Sequence, residues 1–484
     1  MACPSRARRL SDCSAIILFI LLGAPTAGMA QTTDPLLFKN DSGFEAKLHF
    51  QAGLNLVAEG NLFWTLSDTF ARTADYDPDK GWVESYLKPG ISLSQALTPT
   101  LTLYGKASAV ASYTRGTDAY DIGQTGRITL EEGYIGIQKR FDNLAKLDFS
   151  IGPRELRLGT GMLIANGGSS GFERGALKFG PRKAWEMAAI SQAKLGDVSA
   201  TAFYLDPNEM PSTDNENELA GIDVRYDGKG GGFAGVSFVN VLSSNSSYPK
   251  AASQGIGPPT VIPGARDGLN AINFYAHSGP LKHRFGTAYF ALDGAIETNN
   301  KNDMFAWGGH FQVGHIWTDM RWLPSLTYTY KTFSGDNPNT PEQERFDPLY
   351  YDGSPSTWAT GSKSSMTFIN SNVRAHELAF NLKPSPRDSI TLRYAHIRAN
   401  ELRSPIQFGQ ATRFEIAGGD NIVAGVTDAH LADDFFLEYS RVVTPNSFLT
   451  AGLSASLPGK GLDLAAGRDL PVWYGGFVNL VINY

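Results

Sequence analysis

Several stretches of this 484-residue chain combine residue types that do chemistry in other settings. Gly167-Gly168-Ser169-Ser170-Gly171 has the Gly-x-Ser-x-Gly spacing of a nucleophile elbow. That motif requires a buried strand before the serine and a helix after it. Here the flanks are rich in glycine and serine, and a loop is the plainer reading. Glu131 and Glu132 are adjacent carboxylates, but a regular strand sends neighbours to opposite faces, which makes them a poor acid/base pair. The eight histidines do not assemble, by spacing, into a nucleophile with its base and orienting group. No His/Asp/Glu spacing reads as a zinc or calcium site. Asp75, Asp77 and Asp79 read as solvated loop carboxylates. The chain is therefore expected to be no enzyme, with no catalytic residue, cofactor or metal.

Basic residues are arranged differently. Lys47, Lys88, Lys106, Lys146, Arg154, Lys194, Arg225, Arg321, Lys331, Lys383 and Arg393 all fall on the polar side of segments whose other side is apolar. Glu45, Glu84, Asp148, Glu186, Asp223, Glu377 and Glu438 fall on the same side, which leaves a surplus of four positive charges. Between low-dielectric walls such a surplus concentrates anions. For any single residue, a salt-bridge ladder that stiffens the wall is the competing reading.

The elements that position these charges are strands. Phe44, Ala46, Leu48, Phe50, Ala52, Leu54 and Leu56 alternate with Glu45, Lys47, His49, Gln51 and Asn55, giving one apolar and one polar wall. The pattern returns at Leu101 to Ser108, at Lys146 to Ile151, and from Arg321 and Trp322 to Lys331. Short turns near 97–100, 142–143, 196–197, 227–231, 278–280, 317–319, 384–387 and 445–446 alternate with long connections. The long ones lie near 58–81, 115–125, 157–183, 206–217, 242–268, 293–303, 334–373, 400–433 and 458–472. Seventeen connections imply eighteen strands, with sixteen as the alternative. Gly171 to Phe179 is assigned to a long third loop that can fold inward.

The fold expected is a transmembrane antiparallel β-barrel of about eighteen strands, with short periplasmic turns and long extracellular loops. Arg6, Arg8 and Arg9 precede the apolar run Ala15 to Leu22 and then Gly28-Met29-Ala30, the layout of a signal peptide cleaved after Ala30. Residues 31–484 then form one domain. Both cysteines, Cys3 and Cys13, leave with the leader, so no disulfide framework or thiolate site remains. The mature chain carries 39 basic and 47 acidic residues, a formal charge of −8, which argues against nucleic acid as a partner. After the leader no apolar run is long enough for a spanning helix. Val478, Leu480, Ile482 and the final Tyr484 close the chain with an alternating, aromatic-ended strand.

Several motifs resemble one family. They are Leu130-Glu131-Glu132-Gly133-Tyr134-Ile135-Gly136, Ile151-Gly152-Pro153-Arg154-Glu155-Leu156, Gly159-Thr160-Gly161-Met162-Leu163-Ile164, Gly171-Phe172-Glu173-Arg174-Gly175-Ala176-Leu177 and Leu457-Pro458-Gly459. Over nearly its mature length the chain resembles the alginate-export group of eighteen-stranded outer-membrane porins. That group commonly shows Gly-Arg-Gln where Gly152-Pro153-Arg154 stands. The resemblance implies a monomer that passes an anionic polysaccharide by diffusion through an arginine- and lysine-rich lumen. On the penultimate strand, where the alginate exporter carries lumenal arginines, Thr450 and Gly452 stand instead.

The expected function is an outer-membrane channel for hydrophilic, anionic solutes, by resemblance an alginate-like exopolysaccharide export pore. An uptake channel for small carboxylates or aromatic acids is the alternative. Expected partners are outer-membrane lipid, lipopolysaccharide and the solute. The candidate pore-lining residues are the cations named above except Lys194.

Overall fold

The computed structural model describes residues 36–40, 42–62, 77–119, 123–141, 145–168, 171–211, 214–353, 358–361, 368–406 and 425–484. The leader expected at residues 1–30 lies outside them, as do Asp75, Ser169 and Ser170.

Two-residue periodicity produces a closed barrel. Its first nine strands are β1 (Phe44–Gly60), β2 (Lys80–Thr98), β3 (Leu101–Thr117), β4 (Gly123–Arg140), β5 (Ala145–Ile151), β6 (Met187–Leu195), β7 (Val198–Asp206), β8 (Glu218–Asp227) and β9 (Phe233–Ser243). The other nine are β10 (Asn270–His277), β11 (Gly286–Asn299), β12 (Met304–Ile316), β13 (Ser325–Phe333), β14 (Val373–Ser385), β15 (Asp388–Ala399), β16 (His430–Thr444), β17 (Ser447–Pro458) and β18 (Trp473–Asn483). Each pairs antiparallel with its neighbours in sequence, and β18 returns to β1 with Leu480 opposite Leu54. Closure of β18 on β1 removes the two free edges that an open sheet would expose to hydrocarbon. Two three-residue strands, Leu37–Lys39 and Leu281–His283, extend this sheet at its short-turn end.

The apolar sides face outward. Leu48, Leu54 and Leu56 on β1, Leu147 and Phe149 on β5, and Phe290 and Leu292 on β11 are all exposed on the outer wall. Asn55, Glu59 and Glu84, on the other face of the same wall, are buried inside. An apolar exterior around a polar interior is stable only when lipid covers it.

Two sequence expectations are corrected. The long connection expected near 293–303 is a hairpin at 300–303, because β11 runs on to Asn299. Its later polar residues, Glu297 and Asn299, are buried in the barrel rather than solvated in a loop, while Ile296 faces out. The strand expected from Arg321 begins at Ser325. Trp322 and Leu323 have φ of 69° and 47°, which ends any extended run and keeps Arg321 in the turn.

Candidate functional site: the lumenal constriction

After β5 the chain leaves the wall and enters the lumen. Gly152 makes the departure with φ of 120°, its N–H donating to Ala188 O at 3.0 Å. A Cβ at this position would collide with the carbonyl of Gly133, so only glycine fits. Pro153 O then accepts from Gly133 N at 2.9 Å. Two of the motifs behind the family resemblance, at 130–136 and 151–156, thus lie against each other.

The described residues of 152–186 are packed inside, with Leu158, Met162, Leu163, Ile164, Ala176 and Trp185 buried. Wall carboxylates pin it. Glu84 on β2, fully buried, accepts the N–H groups of Lys178 (2.9 Å) and Phe179 (3.1 Å) and the Trp82 indole (2.8 Å). Glu131 on β4 accepts the N–H groups of Lys183 (2.8 Å) and Ala184 (3.2 Å). Arg182 donates to Thr129, Ser112 and the Arg127 carbonyl, and Thr114 accepts from Ala176 N at 2.8 Å. Burial pushes the Lys178 ammonium down to about 8, against the pull of Glu59 and Glu84, and its Nζ lies 4.2 Å from the Phe477 ring centre.

The paired glutamates are the main surprise in the wall. Ser108 on β3 stands opposite Glu132 while Ala109 stands opposite Leu130, so Glu131 is the extra residue of a β-bulge. Both carboxylates therefore turn inward and are buried, instead of pointing to opposite faces as regular alternation predicts. Lys106 Nζ lies 2.5 Å from Glu132, and Lys88 Nζ lies 3.1 Å from Glu131 and 2.8 Å from Glu155. Burial alone would raise the Glu155 carboxyl, but Lys88, with Lys106 and Lys183, holds it below its ordinary value. Arg154 sits beside them, 4.5 Å from the Tyr134 ring centre and donating to Ser150. Solvent in the lumen thus meets the half-exposed Lys106 and Arg154 and the exposed Lys183, while Glu131 and Glu132 lie behind them. Glu155 is the exposed carboxylate of the group.

The described residues of a second inward segment, 334–353, 358–361 and 368–372, meet the first. Ala165 N and Asn166 N donate to Tyr350 O, Tyr350 N donates to Leu163 O at 2.8 Å, and Arg157 pairs with Asp352. Trp358 donates its indole N–H to Thr160 O at 3.1 Å, and Thr160 in turn donates to Asp293 on β11. Asp347, buried in this segment, is held by Arg266 from the 244–269 loop at 2.6 and 3.0 Å and by the Tyr248 hydroxyl. Burial alone would raise the Asp347 carboxyl, but Arg266 and Arg345 hold it down. The constriction is thus a joint product of loops that share no sequence neighbourhood.

The other polar-side cations are spread along the barrel. Lys47, Lys146, Lys194 and Arg225 lie toward the short-turn end; Lys146 is 3.7 Å from Asp148, and Arg225 is 2.8 Å from Asp227. Lys383 is exposed near the end of β14. Lys331 and Arg393 belong to the far wall, next to Glu377 (3.0 Å) and Glu438 (3.6 Å). With Gln312, Thr329 and Asp434 they border a cavity of about 200 Å³. Arg321 joins none of these groups: it is exposed in its turn, 5.1 Å from the Trp322 ring centre. The bulge adds inward carboxylates and Arg321 is withdrawn, while the inward loop brings Lys178 and Lys183 into the lumen.

Lys183, Tyr134, Lys178 and Glu59 join the site without having been singled out in the sequence. The one signal for the bulge is Gly133, a glycine inside a strand. Among the described residues, His396, His430 and Asp433 have potential ligand atoms within 4.8 Å of one another on β15 and β16. Asp433 hydrogen-bonds with both histidines and with Tyr394, which accounts for its two oxygens.

No protein-family model matches the chain, and no curated protein matches it. Among solved structures it is similar to the outer membrane protein OpdK from Pseudomonas aeruginosa, with a TM-score of 0.54 and 9% identity over 91% of this chain and 98% of that one. It is also similar to OccK5 (OpdH) of Pseudomonas aeruginosa, with a TM-score of 0.50 and 10% identity over 91% of this chain and 98% of that one. At this identity the likeness is one of fold: the closed outer-membrane barrel of the porins.

Proposed function

We propose that the chain is an outer-membrane channel that passes small anionic solutes, carboxylates above all, by diffusion. The observation that carries this reading is the cation group Lys88, Lys106, Arg154 and Lys183, set where an inward loop narrows the lumen. A guanidinium stacked on Tyr134 with donors still free suits a planar carboxylate. Two inward segments joined by backbone hydrogen bonds favour a small solute over a polymer, which needs a continuous open path.

The motif resemblance favours a second reading, export of an alginate-like polysaccharide. Against it stands β17, whose inner side offers Thr450, Gly452, Ser454 and Ser456 and no cation. A Cβ at Gly452 would press on Phe477 and Phe436, so that part of the wall is aromatic.

Liposome swelling separates the two. Proteoliposomes are expected to swell faster in isotonic salts of small carboxylates than in neutral sugars of equal size, and polyuronate is expected to leave that rate unchanged. Equal rates for acids and sugars would remove the anion preference, and block by polyuronate would favour the polysaccharide pore.

A further inference from the structure

The outer wall carries cations that the channel does not use. Arg374 on β14 and Arg398 on β15 are direct cross-strand partners, with His376 opposite His396 two positions along. Leu378, Phe380 and Leu392 share their face and are exposed, so both arginines point away from the lumen. Each stands one residue from the long-loop end of its strand. Phe305 and Trp307 are exposed on β12 at that same end, where an aromatic girdle marks the outer interface.

Among the described residues no carboxylate lies within 4.0 Å of either guanidinium. Glu401 and Asp428 act on them only from farther away. Two like charges side by side at a lipid boundary repel each other and lose hydration, and an anion between them removes both penalties. A cavity of about 540 Å³ opens at this place, lined by Phe311, Tyr328, Tyr330, Arg374, His376 and Arg398. Tyr328 and His376 are hydrogen-bonded at 2.8 Å, which fixes the aromatic floor. Paired guanidiniums above an aromatic trough match an amphiphile with a phosphate head and an acyl chain, because guanidinium takes phosphate in a bidentate fork.

We propose that this groove binds the phosphorylated head of an outer-leaflet lipid, the lipid A phosphate of lipopolysaccharide. The proposal rests on the reading of the chain as an outer-membrane channel. Native mass spectrometry of the refolded protein in detergent tests it, with bisphosphorylated lipid A, its dephosphorylated form and inorganic phosphate as probes. Wild type is expected to retain the bisphosphorylated form at least about tenfold more strongly than the dephosphorylated one. R374Q/R398Q is expected to abolish that difference, while R441Q, an arginine at the opposite end of the wall, leaves it unchanged. Equal retention of the two lipids by wild type would overturn the proposal, even if the double variant failed to refold. Displacement by inorganic phosphate at equal concentration would also overturn it, as the mark of a free-phosphate site. Channel recordings on the same sample keep the two readings apart. Conducting barrels without phosphate discrimination sink the groove alone, and failure to conduct sinks the channel reading.

Discussion

Glu84→Ala combined with Glu131→Ala is expected to convert a narrow, steady channel into a wide and noisy one. These two buried carboxylates hold four backbone N–H groups of the inward loop, at Lys178, Phe179, Lys183 and Ala184. A hydrogen bond to a charged group contributes about 1.5–3 kcal/mol, so the pair secures the loop by several kcal/mol. Alanine at both sites removes these acceptors and leaves Lys178 buried beside Glu59 alone, which disfavours the docked state further. Single-channel current and polymer exclusion measure the outcome: several-fold higher conductance and a larger size limit, in a barrel that still shows heat-modifiable mobility. Gln at the same positions keeps an acceptor oxygen and is expected to have a smaller effect. Unchanged conductance in the alanine variant would show that the loop is held by its packing, through Trp185, Ile164 and the 334–372 segment, and not by its carboxylate anchors.

The second large effect concerns charge. K106E/R154E is expected to reverse the ion preference of the pore. Two unit charges 4 Å apart interact by about 1 kcal/mol in bulk water and about 4 kcal/mol at an effective dielectric of 20. A shift of roughly 1.4 kcal/mol is a tenfold change in partition, so exchanging two cations for two anions moves the permeability ratio by at least about tenfold. The effect is amplified because Glu132 loses the lysine that neutralises it. Reversal potentials under a salt gradient give the ratio directly. R321Q is the matched control: Arg321 carries the same charge but lies in a turn, and its loss is expected to leave the ratio within error. If R321Q and K106E/R154E behaved alike, the constriction would not be the selective element.

The architecture was legible because its cause is local. Two-residue alternation over long segments and the rhythm of short and long connections follow from lipid on one side of a strand and water on the other. Where local rules failed, a non-local contact had intervened. Regular alternation separated Glu131 from Glu132, but the bulge against Ser108 and Ala109 turned both inward. The run from Arg321 to Lys331 looked continuous, yet left-handed backbone at Trp322 and Leu323 moved Arg321 out of the wall. The 293–303 stretch, expected as a connection, is strand as far as Asn299, because the polar barrel interior takes Asp293, Glu297 and Asn299 on its inner face. Lys183 and Lys178 became part of the site only through folding of 152–186 into the lumen. The outer-wall arginines were hidden for the same reason, since their adjacency comes from strand register and not from spacing.

The most direct test is the reversal potential of the refolded wild-type protein in a planar bilayer, first under a potassium chloride gradient and then with a monomeric uronate replacing chloride on one side. Anion-selective steps that persist with the uronate as charge carrier, and that polyuronate does not block, are the expected result. A cation-selective reversal potential, or a current that disappears when the uronate replaces chloride, would contradict a constriction built to pass small carboxylates.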